Sequence, residues 1–273
     1  MYEEPYKWVE AVGNRRQYLD EQFKQGSPVV AVAYEAGILL LTVSKGTPKL
    51  YEIYDRLALG GMGHPADLEK LRFSLLEMAH VEGFNRSPVD VTGSRLVKYG
   101  IAPVIKQAFE EVFKAPFIVK ILLAELGHKA GKDTFLTINY DGTFEEGGQS
   151  AVLAATPAVQ HDMTAYLRRE IPVGAPLGQA LAASLRTWAL GDRAQRQARE
   201  ERDAPDEKQR GADTPGPVDA AMLSAYLRET LPEKTIECAV LDRAQPGSSK
   251  YRALTPDELG RLLPTELKPA LGL

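Results

Sequence analysis

The chain has 273 residues, of which 44% are hydrophobic and 26% charged, with a formal net charge of −4. That length suits one large domain or two small ones, and the balance is that of a soluble globular protein able to bury a core without covalent staples. The slightly acidic charge offers no electrostatic basis for binding nucleic acid or an anionic membrane. The single cysteine, Cys238, excludes an intramolecular disulfide and a thiolate metal cluster. It lies in the largely apolar run 236–241 and reads as a buried structural thiol. The opening residues lack the basic flank and apolar stretch of a signal peptide, and no run approaches the roughly 18 apolar residues of a membrane span. A cytoplasmic protein is the expectation.

Residues 7–25 carry Trp8, Val9, Val12, Leu19 and Phe23 on an amphipathic helix that Gly26 and Pro28 stop. Two apolar runs, 29–34 and 38–43, joined by Glu35-Ala36-Gly37, predict a strand hairpin covered on both faces, because they barely alternate. Shorter strands fit 50–53 and 57–62. The period then changes: Leu68, Leu71, Leu75, Met78 and Ala79 predict a helix ending near Gly83. A second helix carries Val97, Ile101, Val104, Ile105, Ala108, Val112 and Phe113 and stops at Pro116, with a kink or late start at Pro103. Strands return at 117–126, 134–140 and 149–155, with a turn at Asp141-Gly142, followed by helices at 158–170 and 176–190.

Residues 192–213 hold 13 charged side chains, and 192–217 holds no large aliphatic or aromatic residue. Such a stretch cannot bury a core face, so it predicts a solvated, flexible insertion; continuation of the preceding helix through its first ten residues is the alternative. A helix at 218–230, a strand at 234–241, a short strand near Tyr251 and a helix at 256–263 complete the chain, the last with Thr255 and Glu258 as a capping box. Segregated strand and helix blocks indicate an α+β domain. Doubly covered strands with helix pairs from two parts of the chain indicate a four-layer α/β/β/α sandwich, a single domain over 1–273.

The order and the local residues together resemble the α-type subunit of the bacterial proteasome core particle, a non-catalytic member of the N-terminal-nucleophile hydrolase fold. The run from Gln17 through Gly26-Ser27-Pro28 to Val30 resembles the end of that family's first helix entering its first strand. Lys49-Leu50-Tyr51-Glu52-Ile53-Tyr54-Asp55-Arg56 followed by Gly63, Asp90-Val91-Thr92-Gly93-Ser94-Arg95, and Ala239-Val240-Leu241-Asp242-Arg243 followed by Tyr251-Arg252-Ala253-Leu254 resemble three further segments in the same order. The resemblance spans residues 7–190 and 234–263.

A catalytic member of this fold needs a Thr, Ser or Cys whose own α-amine is freed to act as base. Ser27 stands nearest that position, but Pro28 follows at once and the supporting carboxylate's place, 16 residues on, is Val43. The resemblance therefore implies a subunit that gates a peptidase without cutting. Seven copies would form a ring by head-to-tail contacts on a ring of catalytic β-subunits, with no cofactor, and unfolded proteins would pass through. Carried over, an activator-docking pocket between neighbours comprises Gln17, Gly26, Lys49 and Gly63, with Lys49 pairing an activator's C-terminal carboxylate. The gate is Met1, Tyr2, Glu3, Glu4, Pro5 and Tyr6. Implied activators are a ring-shaped ATPase that recruits proteins tagged with a prokaryotic ubiquitin-like modifier, or an ATP-independent ring. A stand-alone N-terminal-nucleophile amidase or peptidase is the rival reading, and a self-assembling scaffold without a protease partner a third.

Other chemistry reads as structural. His64, His80, His128 and His161 have no metal-ligand spacing. Gly60-Gly61-Met62-Gly63 lacks the Lys-Ser/Thr of a phosphate loop, and its glycines suggest close backbone approach at a subunit contact or, equally, an ordinary flexible turn. Glu145-Glu146 reads as a solvated strand end.

Overall fold

A computed structural model describes residues 5–111, 113–203, 219–265 and 267–268. Ten strands form two antiparallel five-stranded sheets. The first runs β10 (Tyr251–Ala253), β9 (Thr235–Asp242), β2 (Gly37–Ser44), β1 (Val29–Tyr34), β8 (Ser150–Leu153). The second runs β3 (Leu50–Tyr54), β4 (Leu57–Gly63), β5 (Val119–Glu125), β6 (Thr134–Ile138), β7 (Phe144–Gly147).

Strand parity explains why the runs do not alternate in hydrophobicity. In β2, Leu39, Leu41 and Val43 face a helical layer, while Ile38 and Leu40 face the second sheet. In β5, Leu122 and Ala124 face the first sheet, while Ile121 and Leu123 face the other helical layer. Both faces of the central strands are therefore dry, which calls for apolar residues at most positions. One helical layer is α5 (Pro157–Glu170), α6 (Leu177–Asp203), α7 (Ala220–Thr230) and α8 (Pro256–Leu262); the other is α2 (Pro65–Asn85), the single turn α3 (Gly93–Arg95), a π-helical segment (Leu96–Ile101) and α4 (Ala102–Glu110). This is the four-layer α/β/β/α sandwich expected from the sequence.

The first helix, α1 (Pro5–Phe23), belongs to neither layer. Its Leu19 and Phe23 are fully buried in the core between the sheets, Arg15 donates to the carbonyls of Ala108 and Phe109 at 2.9 and 3.0 Å, and Tyr140 donates to Asp20 at 2.9 Å. The helix begins at Pro5, two residues before the expected start, so Pro5 and Tyr6 of the expected gate are its first residues; Met1, Tyr2, Glu3 and Glu4 lie outside the described residues. It ends at Phe23, whose carbonyl accepts the Gly26 amide at 2.9 Å.

The helix α2 ends at Asn85, near Gly83 as expected; a Cβ at Gly83 would lie 2.2 Å from the Tyr54 hydroxyl, so this glycine also serves packing. The second helix is π-wound over Leu96–Ile101 and becomes α-helical at Ala102, with Pro103 in the first turn of α4, so the late start expected at Pro103 is where the α-helix proper begins. Gly60 and Gly61 are buried, facing Val29 and Leu68, so the close approach they allow is of the other sheet and of α2 within the subunit. Finally, residues 192–203 are not a flexible insertion but, as in the alternative reading, a continuation of the preceding helix, the last turns of α6; residues 204–217 lie outside the described residues.

The reason for the last difference is polar. Asp192 is buried, bonded to Lys234 at 3.2 Å and to the Tyr226 hydroxyl at 2.8 Å, while Arg196 lies over the Tyr226 ring at 5.6 Å. Charged side chains anchor this part of the helix where aliphatic ones were sought.

Candidate functional site

The sandwich has two ends. At one, the Asp55-Arg56 turn is tied to the β5–β6 connection by Arg56 donating to the Leu126 carbonyl at 2.8 Å, and Arg243 forms an ion pair with Asp133. These motif residues close the hairpins. At the other end α1 enters β1, β2 ends, β3 begins and β4 passes into α2, and there a cleft of about 1000 Å³ opens. Its outer wall is the last turns of α6.

Each element reaches the cleft for a local reason. Gly63 has φ of +132°, a backbone that side-chain-bearing residues rarely adopt, and a Cβ would lie 2.0 Å from the Ile118 carbonyl. It lets β4 turn sharply into α2, where the His64 ring caps the helix by accepting the Ala66 amide at 3.3 Å and Pro65 fills the first turn. Gly26 lies against the Met62 side chain, 2.5 Å from where a Cβ would sit. Lys49 is fixed by its backbone: its amide donates to Glu237 Oε2 at 2.7 Å and its carbonyl accepts the Gly61 amide at 3.0 Å.

The Lys49 ammonium is different. Among the described residues it makes no hydrogen bond and no ion pair. Burial depresses its pKa below the ordinary lysine range, the Glu237 carboxylate opposes that shift, and Lys234 adds to it. Glu237 Oε1 is itself buried without a partner. Lys45, Lys49, Lys234, Arg196 and Arg199 line the cleft against the acids Asp192 and Glu200, so its field is positive.

Ser27 also lines the cleft, but its hydroxyl is occupied. It donates to the Val43 carbonyl at 2.5 Å and accepts the Trp188 indole N–H at 2.9 Å. Val43, where a supporting acid would stand, turns its side chain into the core under the helices. Ser27 Oγ therefore sits in a closed donor–acceptor chain, with no described acidic or basic side chain bonded to it.

The cleft thus unites Gly26, Lys49 and Gly63 of the residues singled out in the sequence. Gln17 is exposed on α1 and outside it. Sequence reasoning missed Lys45, Lys234 and the α6 charges. One signal was present: 192, 196, 199 and 203 repeat at helical spacing and are all charged, a stripe with a common neighbour. Among the described residues no group of three or more His, Cys, Asp or Glu is arranged to hold a metal ion, and no helix is long and apolar enough to cross a membrane.

A scan against protein-family models found no match. Among curated proteins, the chain is 31% identical over 181 residues to the proteasome subunit alpha of Actinosynnema mirum, covering 65% of this chain and 66% of the relative. It is 30% identical over 253 residues to the proteasome subunit alpha of Streptosporangium roseum, covering 92% and 82%. The corresponding protein of Streptomyces coelicolor is 24% identical over 270 residues, covering 96% and 90%. Alignments over nine-tenths of the chain run through both sheets and both helical layers. The chain belongs to the proteasome subunit alpha family.

Proposed function

We propose that the chain is a non-catalytic ring subunit of a bacterial proteasome core particle, which gates substrate entry and docks activators. The state of the cleft carries this reading: an ammonium with no bonding partner among the described residues stands beside a serine hydroxyl whose bonding capacity is used. A cation whose ammonium bonds to no described side chain, in a half-buried, positive cleft, is suited to a carboxylate that arrives from outside. A serine in that hydrogen-bond chain, with its nitrogen in a peptide bond, is not an activated nucleophile.

The stand-alone amidase reading requires cleavage before Ser27. That would release α1, whose Leu19 and Phe23 fill the space between the sheets, and so would open the core. The subunit reading leaves α1 in place.

Assembly is part of the proposal. Exposed Trp8, Val9 and Tyr18 on α1 suit contact with a neighbouring copy in a heptameric ring, which would bring Gln17 of one copy to the Lys49 cleft of the next. Phe73, Val81 and Phe84 on α2 with Tyr99 beside it form exposed apolar surface on the opposite layer, suited to a β-subunit. The gate, residues 1–6, would lead from the start of α1 toward the pore. A ring-shaped ATPase or an ATP-independent ring would occupy the clefts, in the cytoplasm.

The test is intact mass and fluorogenic-peptide turnover of the purified chain, with electron microscopy of the chain co-expressed with a β-subunit. Unprocessed mass, no turnover and stacked rings are expected. A new N-terminus at Ser27 with turnover lost in Ser27→Ala would overturn the proposal.

A further inference from the structure

The charge in the cleft exceeds what one carboxylate can balance. Lys234 is committed to Asp192, which also accepts from Tyr226, so that pair is internally neutral. Among the described residues Lys45, Lys49, Arg196 and Arg199 remain, against Glu200 on the cleft wall and the Glu237 carboxylate behind Lys49. Neither arginine has a carboxylate partner among the described residues: Arg196 lies over the Tyr226 ring, and Arg199 donates Nε to the Gln195 carbonyl at 3.3 Å. Both residues are half-buried and line the cleft.

We infer that the α6 wall reads a second negative charge, so that the cleft selects chain ends bearing an acidic side chain within the last few residues as well as the terminal carboxylate. Lys49 and Lys45 lie on the strand side, where the terminus is captured; Arg196 and Arg199 lie on the helix side, across the cleft. An extended peptide entering between them presents its terminus to one wall and a preceding side chain to the other. Arginine suits the second task because its planar fork can hold a carboxylate through two donors. This inference rests on the docking reading and specifies the ligand class of the same site.

The test uses fluorescence anisotropy with three labelled hexapeptides on the purified full-length chain: one with aspartates before a free terminus, its asparagine counterpart, and the aspartate peptide with an amidated terminus. The aspartate peptide should bind about fivefold tighter than the asparagine one, the scale of one well-placed ion pair. In Arg196→Gln/Arg199→Gln that preference should collapse to about one. In Glu200→Gln, an exposed change that leaves the fold alone, it should increase. Equal binding of aspartate and asparagine peptides to the unmodified chain overturns the inference while carboxylate capture stands. Equal binding of free and amidated peptides overturns the docking reading instead. Binding of none of the three overturns both, and a preference that persists in the double variant removes the role of α6.

Discussion

Two lysines at the same end of the sandwich, Lys49 before β3 and Lys120 in β5, have opposite surroundings. Lys120 is 6% exposed, donates to the carbonyls of Ala154 and Ala155 at 2.9 and 3.0 Å, and places its ammonium 4.9 Å from the centre of the Phe23 ring. It joins β5 to the end of β8 and to α1. Lys49 shares the desolvation but has none of those partners. A lysine whose donors are met inside the fold contributes to stability; one whose donors are unmet inside a cleft is available to a ligand. Burial alone does not distinguish them, because the pKa of each is depressed.

The contrast breaks most readily at Lys120. Lys120→Ala would leave two buried carbonyls without a donor, at about 1–3 kcal/mol each, and a cavity beside Phe23. A loss of about 3 kcal/mol or more in guanidinium unfolding is expected. Lys49→Ala should cost less than about 1 kcal/mol, since it removes no bond made by the ammonium. Equal costs would erase the distinction.

The second expectation concerns pH. Burial pulls the Lys120 pKa from 10.5 to about 8, against the smaller pull of Asp20 and Asp141 in the other direction. The unfolded chain then binds more protons than the folded one between those values, so this group makes stability rise with pH across that window. Between pH 8 and 9.5, below the range of tyrosine ionisation, the rise should be about 2 kcal/mol. The difference between the native chain and Lys120→Met, followed by unfolding at each pH, isolates it. A parallel profile in the two would contradict the assignment.

A smaller effect is expected at Ser27. Ser27→Ala strips the Trp188 indole of its acceptor and the Val43 carbonyl of its side-chain donor, so stability should fall by about 1–2 kcal/mol. Peptide turnover by the assembled particle should not change.

The sequence made the layers legible because both faces of the central strands are dry, and apolar runs such as 29–34 and 38–43 mark that condition directly. Thr255 with Glu258 likewise forms the capping box that its spacing implied. Of the edge strand Phe144–Gly147 only a solvated strand end at Glu145-Glu146 was legible, since all four residues are exposed and pair with β6 alone among the described strands. The end of α6 was misread for a related reason: Asp192 is buried through bonds to Lys234 and Tyr226, 42 and 34 residues away, and no local pattern encodes such partners. Lys49, Gly26 and Gly63 were accessible through resemblance. Their residue types alone do not separate Lys49 from Lys120; only the partners do.

The role given to Lys49 is tested most directly by activator binding to particles assembled from Lys49→Ala chain and native β-subunit. Peptide hydrolysis after deletion of residues 1–6 would first establish that assembly and the β sites are intact. A hydrogen bond to a charged group contributes roughly 1.5–3 kcal/mol, so activator affinity should fall about ten- to a hundredfold. Unchanged affinity in an intact particle would contradict carboxylate capture at this cleft, and failure to assemble would make Lys49 a structural residue like Lys120.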